Sequence, residues 1–262
     1  MSVRSAALQA AAKPVREQVT AEEWRVRVEL AACYRLVAHF GWDDLVYTHI
    51  SARVPAAKGA FLLNPYGLMF REITASSLVK LDVDGNVLIP TDHGINLAGF
   101  TIHSAVQMAR PDVGCVIHLH TRDGAAVSAQ KEGLLPLTQT AMTARASLAY
   151  HDYEGIALDL GERERLVRDL GDKSLMMLRN HGTLACGATV ADAFVRMHTL
   201  ERACEMQVAA LAGGRELVIP SDEVQATVTR QVQRAPGREG SGALPWPALL
   251  RMLDAEDPSY RE

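Results

Sequence analysis

Cysteine is scarce in this chain and shows no pairing pattern. The 262 residues include four cysteines, none of them in a CxxC pair, and each lies within an apolar segment. Buried free thiols in a reducing compartment are therefore expected, rather than a disulfide framework or a zinc finger. We expect the protein to be cytoplasmic.

A basic surplus and a long apolar run are also missing. The formal net charge is -4, which offers no positive surface for nucleic acid or anionic lipid. No segment approaches the roughly 20 apolar residues that span a bilayer. The N-terminal stretch is interrupted by Lys13, Pro14 and Arg16 before a signal-peptide core develops. Residues 1–20 are predicted to form a mobile arm, and we expect no nucleic-acid or membrane partner.

Apolar residues are plentiful, at 48% of the chain. A chain of this length can bury a substantial core as one large domain. Regular apolar patterning covers residues 21–212 and stops at Gly213-Gly214. We therefore expect one domain over 21–212, with 213–262 as a C-terminal extension that packs on the same or a neighbouring subunit.

Helical and strand-like segments are mixed along that domain. Helix patterns cover 21–40, 97–109, 123–133, 161–171 and 189–212, with Asp123 as an expected N-cap and Thr189 as the start of the last helix. Strand patterns cover LVYTHISARVP, GAFLLNP, VGCVIHLHT and SLMMLRNHGTLACG, and SSLVKLDVDGNVLIP has the turn signal of a hairpin. The passage containing YHDYEG is interpreted as a loop.

Two histidines stand two residues apart in the predicted strand VGCVIHLHT. Alternate residues of a strand leave the same face with Cβ atoms about 6.5 to 7 Å apart, so His118 and His120 can meet one ion. An HxH pair alone is weak evidence for a metal site, because two histidines that make ordinary hydrogen bonds can have the same spacing.

A third histidine strengthens the interpretation. In RNHG, His181 directly precedes a glycine inside an otherwise apolar strand, and glycine there permits close backbone approach or an unusual dihedral angle. Three neutral imidazoles leave coordination positions open, as in catalytic rather than structural metal sites.

Residues from about 25 to 212 resemble the class II aldolase/adducin domain. The motifs that carry the resemblance, in the family's order, are LLNPYGLMFREITASSLVKLDVDGNV, GINLAGFTIHSAVQMARPDVGCVIHLHT, GLLPL, AYHDYEGI and RNHGTLACG. Within the family the chain looks most similar to the adducin-head branch and its bacterial relatives.

The resemblance implies an α/β fold with three α/β/α layers around a mainly antiparallel sheet. It also implies a cyclic tetramer with active sites between subunits. The family's metal ligands fall on His118, His120 and His181. The expected cofactor is one divalent transition metal, zinc in the first place, with manganese and iron as alternatives.

The chain departs from the pattern of the family's sugar-phosphate aldolases. Their metal-binding, acid/base glutamate falls on Gly99, which can neither ligate nor transfer a proton. Their phosphate-binding positions fall on Thr48-His49, Tyr66-Gly67 and Leu97-Ala98. Because hydroxyl donors for a dianion are lost, we expect an unphosphorylated substrate. Thr48, Tyr66, Gly67 and Gly99 remain the candidate substrate-binding residues.

Other polar residues are candidates for proton transfer. His49 lies on a strand beside the former phosphate loop, and Tyr150, His151 and Tyr153 lie in the YHDYEG segment. Each also has a structural interpretation, as a hydrogen-bonded or packing residue. His103, on the 97–109 helix, is expected to face a hydrogen-bond partner rather than a metal.

The function predicted from these residues is a metal-dependent lyase. A three-histidine metal can stabilise an enolate when a carbon–carbon bond of a small hydroxy, keto or aromatic hydroxy acid breaks, by decarboxylation or retro-aldol cleavage. One alternative is a non-catalytic, adducin-like oligomerising or binding module, although the tail LDAEDPSYRE has no lysine cluster. Another is a non-haem iron oxygenase on the same fold.

Overall fold

The computed structural model describes residues 13–156, 161–234 and 242–262. Seven strands run through these ranges. They are β1 His49–Arg53, β2 Phe61–Leu63, β3 Val79–Leu81, β4 Cys115–Leu119, β5 Leu148–His151, β6 Leu175–Leu178 and β7 Gly182–Gly187. Most are short, apolar and rich in branched side chains, as suits strands buried on both faces.

The strands form one sheet in the order β3-β2-β1-β4-β7-β6-β5. Only β5 and β6 run parallel, and every other neighbouring pair is antiparallel. The β1–β4 register places His49 opposite His118. The predicted α/β fold with a mainly antiparallel sheet is confirmed.

Helices cover both faces of the sheet. They are α1 Val15–Gln18, α2 Ala21–His39, α3 Leu97–Ala109, α4 Arg122–Ser128, α5 Gln139–Arg145, α6 Glu162–Leu170, α7 Val190–Ala212, α8 Asp222–Arg234 and α9 Pro245–Glu256, with 3₁₀ turns at Phe70–Glu72 and Pro258–Arg261. The apolar side chains of α2, α7 and α9 share one core, and those of α3 and α6 share another.

Strand alternation divides the central strands between these two cores. Ile50 and Ile117 join the α2/α7 core, whereas Val116 and Leu184 join the α3/α6 core. Side chains two residues apart leave the same face, so His118 lies on the α3/α6 face with Val116. The candidate site is therefore built on that face, where β1 and β7 begin and β4 ends.

Several predicted elements are confirmed and others are wrong in their bounds. The helices over 97–109 and 189–212 are present, and the Thr189 hydroxyl accepts from Asp192 N as an N-cap. The helix predicted over 123–133 ends at Ser128, and Thr121 rather than Asp123 caps it. The hairpin predicted over 76–90 has one strand, β3, which is joined to the next segment only by a Leu81–Val87 bridge.

The passage interpreted as a loop before residue 160 contains α5 and β5. Tyr150 and His151 therefore lie on a strand, not in a loop. Each element is short, and the apolar residues of LAYH are too few to separate a strand from a loop by periodicity. Helix α8 was not predicted from the sequence, because the β-branched Val and Thr residues within it favour strands.

The ends of the chain differ in how much is described. Residues 1–12 of the predicted arm lie outside the described ranges, and 15–18 form the short helix α1. In the C-terminal extension, Trp246, Leu253 and Tyr260 are buried in the α2/α7 core of the same chain. That core is on the opposite face of the sheet from His118.

All four cysteines are buried and unpaired, as expected for structural thiols. Within the ranges described, the helices are too short or too polar for one of them to cross a bilayer.

Candidate metal centre

Three histidine side chains converge at the end of β4. His118 lies on the strand, His120 directly after it, and His181 in the turn between β6 and β7. The Nε2 atoms of His118 and His120 are 3.0 Å apart, and those of His120 and His181 are 2.8 Å apart. Nitrogen ligands about 2.0 to 2.1 Å from one ion lie about 2.8 to 3.4 Å from each other, for angles between about 90° and the tetrahedral value. The cluster has the donor set and spacing that a transition metal requires.

Hydrogen bonds on the far side of two of the rings, His118 and His120, orient their lone pairs. His118 Nδ1 is 3.0 Å from the Thr183 carbonyl oxygen, and His120 Nδ1 is 3.3 Å from a carboxylate oxygen of Asp44. Because those oxygens only accept, Nδ1 of each neutral ring carries the proton and Nε2 the lone pair. Two lone pairs facing each other at 3.0 Å repel unless a cation lies between them.

Burial keeps these rings neutral. Desolvation, with the neighbouring histidines, holds the pKa of His118 well below 6.5 and lowers the pKa of His181 to about 4. Desolvation also lowers the pKa of His120, against the opposing effect of Asp44. Neutral imidazole is the metal-binding form, so the three rings are ready to bind a metal at neutral pH.

The turn that carries His181 is fixed by its neighbours. Asn180 has a φ of 55°, a left-handed conformation that asparagine tolerates better than most residues. The His181 N–H is held at 3.1 Å from the Leu178 carbonyl and 3.2 Å from the Ser128 hydroxyl. The end of α4 therefore holds the third histidine against the other two.

A buried carboxyl supports the strand behind His118. The oxygens of Glu201, on α7, each accept from a threonine hydroxyl at 2.5 Å, one from Thr121 and one from Thr183. Burial raises the pKa of Glu201 to about 7. Since the Thr183 carbonyl orients His118, Glu201 acts on the site through Thr183. Nothing in the local sequence signals this long-range contact.

Asp44 is the partner that fixes the His120 ring, and its removal should weaken metal binding. Loss of a carboxylate behind a metal-ligating histidine typically costs about 10- to 100-fold in metal affinity. We expect Asp44→Asn to show a loss in this range, measured by competition with a chromophoric chelator. Asp43→Asn, the same change at the adjacent position, should bind as the wild type does; equal affinities for all three proteins would contradict this role.

A cavity of about 460 Å³ opens beside the three histidines. Its lining residues are Tyr47, Thr48, His49, Asn96, Ile102, His118, His120, Tyr153, Gly155, Ile156, Asn180 and His181. No Lys, Arg, Asp or Glu occurs among these described residues. The cavity therefore offers polar and aromatic groups but no side-chain cation for a phosphate dianion.

Thr48 and His49, which both line this cavity, carry buried polar atoms without a hydrogen-bond partner among the described residues. Thr48 is fully buried at a φ of 65°, a rare conformation for a β-branched residue, and its hydroxyl has no partner in the part of the chain described. His49 is 4% exposed, and both of its ring nitrogens are likewise buried without a hydrogen-bond partner in that part of the chain. Desolvation, with nearby His103, holds the pKa of His49 well below 6.5.

The remaining catalytic candidates divide between the cavity and other surroundings. Tyr153 lines the cavity, with its ring centroid 6.3 Å from that of His181. The Tyr150 hydroxyl instead accepts from Leu134 N at 3.0 Å, and His151 Nδ1 is 2.7 Å from Asp169. The structure thus brings His49 and Tyr153 to the histidine cluster, whereas Tyr150 and His151 point to other partners.

The substrate-binding candidates are similarly divided. Thr48 lines the cavity, and Gly99 lies directly against the His49 ring. Tyr66 donates its N–H to Gly94, and Gly67 has a φ of 101° that suits glycine. Tyr66 and Gly67 do not border this cavity in a single copy of the chain. The side chains of Leu97 and Ala98 lie outside the described part of the structure.

The fold of this chain has counterparts among known proteins. The family model described as the Class II Aldolase and Adducin N-terminal domain matches residues 28–208. The chain belongs to this family. The resemblance carried by the sequence motifs is thereby confirmed.

Individual family members match over nearly the whole chain. A crystal structure of an aldolase II superfamily protein from Pseudomonas syringae is 54% identical, covers 95% of this chain and 100% of that one, and has a TM-score of 0.89. An L-fuculose 1-phosphate aldolase from Glaciozyma antarctica is 28% identical, covers 92% and 94% of the two chains, and has a TM-score of 0.80. Both share the family's fold with this chain.

The adducin side of the family is also similar. Mouse alpha-adducin is 44% identical over 242 residues, which are 87% of this chain but 33% of that protein. This chain therefore spans about a third of alpha-adducin. The proteins similar to this chain therefore include both a named aldolase and a named adducin.

Proposed function

We propose that this protein is a metal-dependent lyase that cleaves a carbon–carbon bond of a small unphosphorylated hydroxy, keto or aromatic hydroxy acid. The observation that carries the proposal is the convergence of three neutral imidazoles, with Nε2 atoms 2.8 and 3.0 Å apart, beside an open cavity. A purely structural cluster would have no need of that cavity. Zinc is the expected metal, with manganese or iron as alternatives.

The residues around the histidines suit bond cleavage. A divalent cation held there supplies a Lewis acid for negative charge that develops on a substrate oxygen as the carbon–carbon bond breaks. In retro-aldol cleavage, neutral His49 takes the proton of the substrate hydroxyl as the carbon–carbon bond breaks to a carbonyl product and an enolate, and the same proton then returns to the enolate carbon. In decarboxylation, the bond to the carboxylate carbon breaks and carbon dioxide leaves. A proton that reaches the remaining carbon from the side of the cavity lined by His49 completes the product. Tyr153 covers the cavity beside His181.

The lining of the cavity favours substrates without a phosphate. No side-chain cation borders the cavity in the described ranges, so a phosphate dianion would be desolvated without a partner. A single carboxylate is different, because the metal ion can neutralise it. The proposed substrates therefore differ from the phosphorylated sugar in the name of the Glaciozyma antarctica relative.

We propose that a neighbouring subunit borders this cavity. Leu45, which is 62% exposed, and Ile156, which is 75% exposed, lie beside the cavity-lining segments. Exposed apolar side chains at a cavity rim are common where protein surfaces meet. We propose a homotetramer, which sedimentation equilibrium would detect as four times the chain mass; a monomer would contradict it.

The proposed function is tested by a paired substrate screen. The protein, loaded in turn with Zn²⁺, Mn²⁺ or Fe²⁺, is incubated with hydroxy and keto acids while carbon dioxide and aldehyde release are followed. We expect metal-dependent turnover of at least one unphosphorylated acid and none of L-fuculose 1-phosphate. Stoichiometric metal binding without turnover across the screen would favour the adducin-like binding module. Turnover that consumes oxygen would favour the iron oxygenase.

A further inference from the structure

Gly99 lies where any side chain would collide with His49. A Cβ built on Gly99 would be 2.4 Å from Cδ2, 2.5 Å from Cγ and 2.6 Å from Nε2 of the His49 ring. Ordinary carbon contacts are about 3.5 to 4.0 Å. The volume that a side chain at position 99 would need is therefore already filled by the imidazole from β1.

The His49 ring cannot easily move aside on the sheet. It stacks at 6.0 Å on His118 and meets the edge of His103 at 5.7 Å. His118 is held by the Thr183 carbonyl, and His103 by a 2.7 Å hydrogen bond to the Ser51 hydroxyl. Displacement by a new Cβ would thus drive the ring away from its present place at the cavity.

The His49 ring has hydrogen-bonding groups that a ligand could satisfy. A neutral imidazole has one N–H donor and one acceptor, and both nitrogens of His49 are buried without a partner among the described residues. The adjacent Thr48 hydroxyl is buried without one too. Buried polar groups are nearly always satisfied in native proteins, and here three such atoms belong to residues that line one cavity.

We infer that Gly99 and His49 are a size-coupled pair, in which the missing side chain at position 99 gives His49 its place as the imidazole that hydrogen-bonds a small carboxylate bound at the histidine cluster. Gly99 is then a specificity-determining residue, although it has no atom to offer a substrate. The ligand class is a small acid with two adjacent oxygens, of which one meets the His49 ring. This inference rests on the proposed function.

The coupling is tested with oxalate as the probe, on protein loaded with Co²⁺. Oxalate has adjacent oxygens and does not react, so its affinity can be measured by calorimetry independently of turnover. Three variants are compared with the wild type: His49→Ala, Gly99→Ala and the double variant. Gly94→Ala is the matched control, because a Cβ there would meet nothing within 4 Å.

His49→Ala should weaken oxalate binding about 10-fold or more, the range for a lost hydrogen bond to a charged group. Gly99→Ala should cause a similar loss, and the double variant should lose no more than His49→Ala, since both changes remove the same contact. The Co²⁺ content of all variants should match that of the wild type. Gly94→Ala should bind oxalate normally.

Thermal melting keeps the test decisive if Gly99→Ala folds poorly. The double variant removes the ring that the new methyl group meets, so its Tm should exceed that of Gly99→Ala. Additive losses of oxalate affinity, normal binding by either single variant, or a double variant no more stable than Gly99→Ala would overturn the coupling. Wild-type protein that binds no Co²⁺ would instead overturn the proposed function itself.

Discussion

Replacing His118 with alanine is expected to remove the bound metal ion and the lyase activity together. The ring is 1% exposed and carries one of the three Nε2 atoms that converge at the candidate metal site. Loss of a residue behind a ligating histidine already costs about 10- to 100-fold in metal affinity, so loss of a ligand should cost more than about 100-fold. Elemental analysis after dialysis should find about one metal ion per wild-type chain and almost none in the variant.

Two further variants make that result specific. His181→Ala removes a less buried ligand and should lose metal equally, which separates ligation from any damage to the core. His39→Ala changes a histidine at the end of α2 whose only ion pair is with Glu256, at 3.2 Å in the described structure, and surface pairs contribute little. It should retain its metal. If the wild-type protein takes up none of the three candidate metals, the proposal of a metal-dependent enzyme is contradicted.

Local geometry alone could predict that the side chains of His118 and His120, two of the three candidate ligands, lie close together. His118 and His120 are separated by one residue in an apolar run, and strand alternation places both on one face. The structure puts only His118 within β4, with His120 directly after it. The two Nε2 atoms still meet at 3.0 Å. Local periodicity was sufficient here because the two residues belong to the same extended segment.

The third ligand depends on contacts that no local pattern contains. His181 reaches the pair because β4 and β7 are neighbours, a pairing between segments more than 60 residues apart. The sequence pointed to His181 through the glycine that follows it in RNHG, and the family resemblance grouped it with the other two histidines. Asp44 and Glu201 were missed for the same reason, since each contacts the site from a distant part of the chain.

The YHDYEG segment shows a different error, in which residues close in sequence were assigned to one site. Tyr150 and His151 stand close in sequence to Tyr153, and all three were grouped as possible proton donors. A four-residue strand, β5, carries the first two into other hydrogen bonds, whereas Tyr153 follows the strand and lines the cavity. Proximity along the chain does not determine which side chains share a site when a short strand begins or ends between them.

Gly182 connects the sequence prediction with the geometry of the centre, and Gly182→Ala should damage both fold and site. The glycine after His181 was expected to serve either close backbone approach or an unusual dihedral angle. Its φ is not among the positive values, so close approach is the reason. A Cβ there would lie 2.2 Å from the Leu119 carbonyl oxygen and 3.3 Å from Cδ2 of His120. The first of these neighbours is backbone of β4 and cannot rotate away.

The expected cost of Gly182→Ala is about 3 kcal/mol in the free energy of unfolding, at the upper end for overpacking. That corresponds to a fall of about 10 °C in Tm for a protein of this size. Metal affinity should fall as well, because separating β4 from β7 moves His120 away from His181. Gly94→Ala, with open space around its Cβ, should change neither quantity. A variant with wild-type Tm and full metal content would show that the two strands can part without disturbing the ligands, and that the glycine is not what holds the centre together.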